Sequence, residues 1–506
     1  MDDVTAYTPT SARRLRNTAV QGMLWVGADQ IGRRVVDQVF TIFLARLLLP
    51  KDFGILALAA VFTTLLRIIG DTGMGSAIVQ RREVDQEYLY TAFWASVGAG
   101  ITLTAVAAAL GGLVGRWLHE PVVGLVLIGL SMRFLITSGA QAQMAMITRR
   151  LDYRTLSLRS MTATVVGGVV GVGMAYAGKG VWSLVGQDLA MVTCGTILLY
   201  RATGWRPKLR FSWSKFLDLW SFGGRLQLSS FFNYLVRHMD NLLVGRYMGS
   251  TALGYYTFGY AVFLAPINDV GLLNQVLFSA LSRLQDDIVR LKRGFLRALN
   301  YVTMIVLPMM VGLALVAPLL VSVVFGPKWL PSVPVIRLLA LAGFLQVMMA
   351  LGPIGLQSAG RPDVRLRFSF LSVLLYLPAF GIGLRWGIVG VAAAYLVVTI
   401  LLVPMLYRYV ARVIGLTIRE TWGSVRASIT ACIVMTGVAL PAMRGLDVLV
   451  RLPAVVALAL LVAIGVVVYT TVMLIIQPQT IWGFIRVVRE AVPALHGPRL
   501  REAREA

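Results

Sequence analysis

The sequence predicts an all-α polytopic membrane protein of about 14 transmembrane helices, arranged as two pseudo-symmetric six-helix lobes plus two C-terminal helices. Composition is the first observation: of 506 residues, 58% are hydrophobic and only 14% are charged, whereas soluble domains carry about 25% charged residues. The second is a succession of apolar stretches of membrane-spanning length. The third is that the connectors between them alternate between arginine-rich and arginine-poor.

Each apolar stretch is predicted to be helical, because a single segment in hydrocarbon must satisfy its backbone groups internally and needs about 20 residues to cross. No connector is long enough for an independent soluble domain. The predicted spans are 18–47, 53–79, 88–115, 121–147, 158–178, 180–200, 217–247, 252–279, 294–325, 330–358, 364–384, 386–408, 421–443 and 452–476.

The basic residues predict which connectors face the cytoplasm. Of the 47 Lys and Arg residues, 31 fall in the terminal segments and every second connector, which we call the inner connectors. Nine fall in the intervening outer connectors, and seven lie inside spans. Because positively charged connectors stay in the cytoplasm, both termini are predicted to be cytoplasmic.

An internal repeat predicts the two lobes. The segment from Arg46 to Gly54 recurs from Arg246 to Gly254, and each copy joins a long charged helix to an apolar one. Helices one and seven are therefore predicted to be equivalent, with the copies parallel in the membrane. The predicted segments are a cytoplasmic N-terminal segment at 1–17, a first lobe at 18–200 (helices 1–6), a cytoplasmic linker at 201–216, a second lobe at 217–408 (helices 7–12), helices 13 and 14 at 421–476, and a cytoplasmic tail at 477–506 with an interfacial helix.

Charged residues inside spans are costly, so they are predicted to face a polar interior or each other. One interpretation is a solvated, net cationic cavity that binds an anionic headgroup such as a pyrophosphate. The other is that the arginines pair with nearby carboxylates and only stabilise the bundle. Arg133 and Arg337 lie closer to span ends, where they can snorkel. The cavity candidates are Arg33, Arg34, Arg67, Arg225 and Arg237, and the candidates for ion coupling or charge pairing are Asp29, Asp37, Asp71, His238, Asp240 and Asp269.

Other functions find no support in the sequence. There is no P-loop and no nucleophile motif, so we expect no catalytic residue and no use of ATP. Three scattered histidines and two cysteines inside apolar stretches indicate no metal site. The basic residues are spread among short connectors instead of forming one stripe, which argues against nucleic-acid binding.

Several strings make the chain recognisable. The stretches 43–54, 71–81 and 240–246, read in order with others between residues 18 and 370, resemble the polysaccharide (O-antigen/exopolysaccharide) flippase family of the multidrug/oligosaccharidyl-lipid/polysaccharide exporter superfamily. The resemblance implies a protein of the bacterial cytoplasmic (inner) membrane that flips an undecaprenyl-pyrophosphate-linked oligosaccharide by alternating access. It also implies coupling to an ion gradient, H⁺ or Na⁺, no cofactor, and work beside membrane lipids, a polymerase and chain-length or export proteins. The product would be a surface polysaccharide such as an O-antigen, capsule or exopolysaccharide.

Two alternatives stay open. A cation-coupled exporter of drugs or small molecules from the same superfamily would need net acidic lobes, because its substrates are cationic. A membrane polysaccharide polymerase or glycosyltransferase would need a long extracytoplasmic loop or a carboxylate-rich sugar site. The sequence has more arginines than carboxylates near helices one, two and seven, and no long loop.

Overall fold

The fold is described from a computed structural model of the chain, which describes residues 12–70, 74–81, 84–219, 234, 238–282, 287–358, 362–449 and 453–486. Within these ranges every regular element is helical, as predicted, and there is no strand. The chain divides by packing into two compact units, one up to Gly254 and one from Tyr255. The predicted lobes and linker stay predictions.

Among its described residues, the first unit contains nine helices and the start of a tenth. Each predicted span of the first lobe corresponds to one or two of these helices. The helices are α1 (Ala12–Leu47), α2 (Pro50–Gly70), α3 (Met74–Gln80), α4 (Gln86–Trp117), α5 (Pro121–Ser138), α6 (Gln141–Arg149), α7 (Tyr153–Tyr176), α8 (Trp182–Thr203), α9 (213–219) and α10 (Met239–Ser282), which has a non-helical residue at Gly249 and continues into the second unit.

The second unit contains the remaining helices, interrupted by short tighter or wider turns. A π-helical turn, Val321–Phe325, and a 3₁₀ turn, Pro327–Ser332, join its first two complete helices, and another 3₁₀ turn, Leu384–Trp386, joins the next two. The helices are α11 (Ile288–Leu320), α12 (Val333–Ser358), α13 (Pro362–Gly383), α14 (Gly387–Ile414), α15 (Ile418–Leu449), α16 (Ala454–Ile476) and α17 (478–486).

Side chains and glycines define several helix ends. Asp85 precedes α4 and accepts a hydrogen bond from Tyr88 N at 2.9 Å, and Asp152 does the same for Thr155 N at the start of α7. These contacts satisfy backbone donors that the first turn leaves free. Gly204 ends α8 with φ 61°, a left-handed conformation that glycine adopts without steric cost.

One predicted span is wrong in its continuity, while residues 71–73 of the span 53–79 lie outside the described residues. The span 121–147 is divided at Gly139, between α5 and α6. There the Thr137 hydroxyl donates to Arg133 O and the Ser138 hydroxyl donates to Leu135 O. Such bonds compete with the backbone ladder, and a glycine follows them, so the helix ends within the membrane-length segment.

Glycines allow the helices of the first unit to pack closely, as their number in the sequence indicates. A Cβ atom on Gly124 of α5 would lie 2.2 Å from Gly111 O of α4. A Cβ atom on Gly167 of α7 would lie 2.8 Å from Gln187 O of α8. These helices approach until their backbones touch, the arrangement that small residues permit in membrane bundles.

The apolar helices are consistent with a multi-pass membrane protein. In the described part of the chain, ten segments are long and apolar enough to cross a membrane by length and composition. One of these, Phe370–Ile414, contains the part of α13 from Phe370 onward and all of α14. The long charged helices α1 and α10 are not among the ten. The count of fourteen spans stays a prediction.

The predicted tail helix is present as α17. Phe484 packs edge-on against Tyr301 of α11, with ring centroids 5.6 Å apart, and Ile481 packs against the core formed with α15 and α16. Trp482 points away and is 62% exposed. The apolar side chains of this helix are therefore divided between the protein and its surroundings. Placement of α17 at the membrane interface stays a prediction.

Candidate functional site

A cavity of about 120 Å³ lies inside the first unit beside one of the predicted cavity arginines. Arg67, in the last turn of α2, contributes the cation to its wall. The other walls come from α3, from the middle of α4 and from the junction between α5 and α6. The polar lining residues are Arg67, Ser96, Thr137, Ser138 and Gln141.

Two hydroxyl groups of this cavity already use their protons on the backbone. Thr137 donates to Arg133 O at 2.7 Å, and Ser138 donates to Leu135 O at 2.9 Å. Each oxygen therefore presents lone pairs to the cavity, while the Arg67 guanidinium presents N–H donors. A ligand that fits has an anionic group for Arg67 and hydroxyl donors for the Ser and Thr oxygens.

Polar residues of predicted helix seven lie beside Arg67. Tyr234 is close to Thr64 and to Arg67 of α2. Its ring lies 4.2 Å from the His238 ring, centroid to centroid. His238 in turn faces Asn241, with 3.4 Å between its Nδ1 and the amide nitrogen. The structure therefore brings helix two and helix seven together at their polar residues.

Asp240 is one of the few buried charged side chains in the described ranges. It is 5% exposed and accepts a hydrogen bond from Asn241 N at 2.9 Å. Burial of a carboxylate is costly unless it is hydrogen-bonded or paired. Asp240 follows Tyr234 and His238 in predicted helix seven, and Tyr234 is the residue that lies close to Arg67.

Helix α1 places its charged residues in two different environments. Asp29 accepts a hydrogen bond from Ser160 Oγ of α7 at 2.5 Å. Arg33, Arg34 and Asp37 are exposed on the rest of the helix. Asp37 lies near enough to Arg33 for electrostatic attraction. The charged residues of α1 therefore separate into one carboxylate held by α7 and a group of exposed charges.

Several candidates lie outside what the structure describes. Asp71, Arg225 and Arg237 fall outside the described residues, and Asp269 lies on α10 with its side chain outside the described ones. Their roles stay predictions. Within the described ranges, no group of three or more His, Cys, Asp or Glu is placed to bind a metal ion.

One charge pair was missed by the sequence reasoning. Arg133 of α5 donates to Asp188 of α8, with 3.0 Å between Nη1 and Oδ1. Asp188 Oδ2 is buried and has no hydrogen-bond partner in the described structure. The sequence signal that could have indicated this pair was Asp188, a single carboxylate in the apolar segment 182–203. Arg133 therefore has a carboxylate partner on α8.

Three predicted outer connectors meet in the first unit. Glu120 Oε1 lies 3.4 Å from Lys51 Nζ and accepts a hydrogen bond from Ser250 Oγ at 2.7 Å. Arg246 Nη1 lies 3.1 Å from His119 Nδ1. These contacts join the connectors after helices one, three and seven, all of which are arginine-poor.

The two copies of the repeat also meet there, at their glycines. A Cβ atom on Gly54 would lie 1.7 Å from Ser250 O, and one on Gly254 would lie 1.9 Å from Pro50 O. The two contacts are reciprocal, since each glycine touches the residue four places before its counterpart. Only glycine permits this approach, so the repeat has a direct structural role.

The predicted inner connectors make a separate set of contacts. Lys215 of α9 binds Asp85 and Glu87 at 2.5 Å and 2.6 Å. Asp218 of α9 pairs with Arg81. These contacts join the connector before α4 to the one before helix seven, and both are arginine-rich. These contacts involve other connectors than those joined at Glu120, and the side of the membrane that each group faces stays a prediction.

Comparisons with known proteins agree on one kind of family, proteins of polysaccharide biosynthesis. Residues 43–334 match the family described as polysaccharide biosynthesis protein. The lipopolysaccharide biosynthesis protein WzxC of Escherichia coli (strain K12) is 28% identical over 393 residues, which cover 76% of this chain and 80% of WzxC. The teichuronic acid biosynthesis protein TuaB of Bacillus subtilis (strain 168) is 27% identical over 344 residues, covering 67% of this chain and 71% of TuaB.

The fold resembles that of a solved flippase. The lipid II flippase MurJ in its inward closed conformation superposes with a TM-score of 0.65 at 14% sequence identity, over 91% of this chain and 100% of MurJ. The family match spans more than half of this chain, and the fold agrees with the superfamily that the sequence resembles. The chain therefore belongs to the polysaccharide biosynthesis protein family, and its resemblance to the polysaccharide flippases of the multidrug/oligosaccharidyl-lipid/polysaccharide exporter superfamily is confirmed.

Proposed function

We propose that this protein flips an undecaprenyl-pyrophosphate-linked oligosaccharide across the bacterial inner membrane by alternating access, for assembly of a surface polysaccharide. The similarity to WzxC and TuaB, which are named for lipopolysaccharide and teichuronic acid biosynthesis, supports a polysaccharide pathway. The ten apolar segments support a membrane location. On this proposal the protein is a transporter, it works without ATP, and the polymerase and chain-length or export proteins act beside it.

The observation that carries the proposal is the Arg67 cavity with helix seven beside it. A lipid-linked sugar keeps its tail in the bilayer, while its charged head needs a polar path through apolar helices. Arg67 supplies a guanidinium, whose planar fork suits phosphate oxygens better than an ammonium does. The Thr137 and Ser138 oxygens can accept hydrogen bonds from sugar hydroxyls.

The remaining predicted residues extend this path. Exposed Arg33 and Arg34 on α1 add cations to the same unit, and Arg225 and Arg237 are proposed to contribute from helix seven. We place the ion-coupling step at His238 and Asp240, since a buried carboxylate near an imidazole changes charge when it takes up H⁺ or binds Na⁺. Asp29, Asp37, Asp71 and Asp269 stay candidates for pairing or coupling.

Alternating access requires the outer connectors to separate at one stage. Glu120 holds Lys51 and Ser250 together, and the Gly54 and Gly254 contacts lie at the same place. We propose that this cluster closes the outer side while the cavity is loaded from the inner side. Release of the substrate then requires these contacts to break.

Substitution of Arg67 tests the proposal in a strain that depends on this protein for polymer export. Arg67→Ala is expected to abolish export and to cause lipid-linked intermediates to accumulate, at unchanged membrane abundance. Arg67→Lys is expected to restore export partly, because lysine keeps the charge and loses the bidentate geometry. Arg116→Ala is the matched control, since Arg116 is an exposed arginine at the end of α4, away from the cavity.

Four other results would each contradict or change this assignment. If export fails only because the protein is lost from the membrane, Arg67 has a structural role and not a binding role. If Arg33→Ala causes a loss that neutralisation of Asp37 reverses, the charges on α1 stabilise the bundle as a pair. Normal export by Arg67→Ala, together with normal export by the other four alanine variants, contradicts the cationic cavity. A changed resistance to cationic drugs with normal polymer export would favour the drug-exporter alternative.

A further inference from the structure

The connector between α8 and α9, residues 204–212, has a defined position along the start of α4. The indole Nε1 of Trp94 donates to Lys208 O at 2.8 Å, and Ser212 N donates to Thr91 Oγ1 at 3.1 Å. These bonds fix the connector against the end of a long apolar helix. The connector therefore lies where predicted inner connectors meet the membrane surface.

The carboxylates near this connector already have cationic partners. Asp85 and Glu87 bind Lys215, and Asp218 pairs with Arg81. The cations that line the connector itself are thus additional to these ion pairs. The paired groups carry one net negative charge and the connector carries three positive ones, so the local charge at this end of the first unit is net positive.

The connector exposes three cations in alternation with apolar residues. Arg206, Lys208 and Arg210 are all exposed, and Leu209 between two of them is 87% exposed. Clusters of cations beside a membrane attract the anionic headgroups of the cytoplasmic leaflet. This attraction is screened over about 10 Å at ordinary salt concentrations, so it requires the connector to lie at the membrane surface.

Exposed aromatic rings adjoin these cations. Trp213 is 64% exposed, it lies 6.3 Å from the Phe211 ring, and it stacks on Phe216 at 5.0 Å between centroids. Tryptophan is typical of the boundary between headgroups and acyl chains. Its ring is apolar, while its N–H group can form a hydrogen bond in the hydrated headgroup region. An exposed aromatic cluster beside cations is the composition of an interfacial anchor.

We propose that this connector is a docking surface for anionic phospholipids of the cytoplasmic leaflet. Arg206, Lys208 and Arg210 bind headgroup phosphates, while Phe211 and Trp213 enter the boundary with the acyl chains. The occupant is lipid because the surface combines positive charge with apolar rings and continues directly into the membrane-length helices α4 and α8. The inference requires only the membrane location and goes beyond the proposed transport of a lipid-linked sugar.

Native mass spectrometry of the full-length detergent-solubilised protein tests it, with phosphatidylglycerol and phosphatidylcholine as the added lipids. The variant R206Q/K208Q/R210Q is expected to retain several-fold less phosphatidylglycerol than the wild type, with unchanged retention of phosphatidylcholine. The matched control R116Q/K179Q/R385Q loses three exposed cations from predicted outer connectors and is expected to behave like the wild type. Equal retention by the connector variant and the control would overturn the proposal.

A second measurement does not depend on the charge variant. In vesicles that contain brominated phosphatidylglycerol, W213F is expected to lose a fraction of the quenchable tryptophan fluorescence. Unchanged quenching in W213F would show that this ring does not reach the lipid, and would contradict the proposed surface. No lipid-linked sugar is present in either assay, so failure here is distinguishable from failure of the transport proposal.

Discussion

Gly54 and Gly254 occupy equivalent places in the two copies of the repeat and pack against each other's segments through the backbone. Each would place a Cβ atom within 2 Å of a carbonyl oxygen of the other copy, Ser250 O for Gly54 and Pro50 O for Gly254. Backbone atoms cannot move away as a flexible side chain can. The sequence repeat thus corresponds to a reciprocal contact between α2 and α10 in the first unit.

Substitution of either glycine is expected to weaken this contact. Gly54→Ala and Gly254→Ala should each lower the free energy of unfolding by about 1–3 kcal/mol, since overpacking displaces backbone. The loss is measured by thermal unfolding of the purified protein. Gly173→Ala on α7 is the control, because nothing lies within 4 Å of its added methyl group. Equal melting temperatures for Gly54→Ala and this control would contradict the close contact.

Topology is the second prediction. Reporter fusions after Arg81, Arg154 and Lys208 are expected to be cytoplasmic, because these positions lie in arginine-rich connectors. Fusions at the outer-connector positions Lys51, Lys179 and Lys328 are expected to be extracytoplasmic. One inverted pair would be enough to reject the fourteen-helix arrangement.

The Arg133–Asp188 pair gives the third prediction. Asp188→Ala should lower the free energy of unfolding by about 1–3 kcal/mol, because it leaves a half-buried arginine without its partner. The double variant R133M/D188L should recover most of this loss, since apolar residues can replace a buried pair without great cost. Both variants are compared with the wild type by thermal unfolding and by membrane abundance. A double variant no more stable than Asp188→Ala would exclude a role as a simple charge pair.

The contact between α9 and α4 gives a prediction about pH. Hydrogen bonds to Asp85 and Glu87 raise the pKa of Lys215. Partial burial opposes ionisation of Asp85, but the hydrogen bonds from Lys215 and Tyr88 N prevail and lower the pKa of Asp85. The stabilisation that Lys215 contributes to the folded state is therefore complete below the ordinary lysine pKa, about 10.4. It is lost as pH rises through the raised pKa of Lys215. The stabilisation that Asp85 contributes is complete above the ordinary aspartate pKa, about 3.9. It is lost as pH falls through the lowered pKa of Asp85.

The stability difference between wild type and Lys215→Met should consequently be constant from about pH 5 to pH 9 and should shrink in acid. Thermal unfolding of both proteins from acid pH to about pH 9 measures this difference. Because the carboxylates are partly exposed, the difference itself should be small, about 1 kcal/mol or less. A difference that changes around neutral pH would mean that another group titrates in this contact.

The sequence by itself determined the class of protein and its likeness to a family. Hydrophobic stretches and the alternation of basic connectors are local properties, and a segment such as α4 must be helical in hydrocarbon whatever surrounds it. The Arg46-to-Gly54 repeat was equally readable, because a backbone contact that admits no side chain leaves a glycine in each copy.

Tertiary structure decided which charges pair and where helices break. Arg133 and Asp188 are 55 residues apart in the chain, and Lys215 lies 130 residues from Asp85, so no periodicity links them. The same holds for Arg67, whose cavity is formed by residues of five helices. Periodicity shows which side of a helix is polar, but the partner of each charge depends on how distant helices pack, because electrostatic attraction and desolvation act through space.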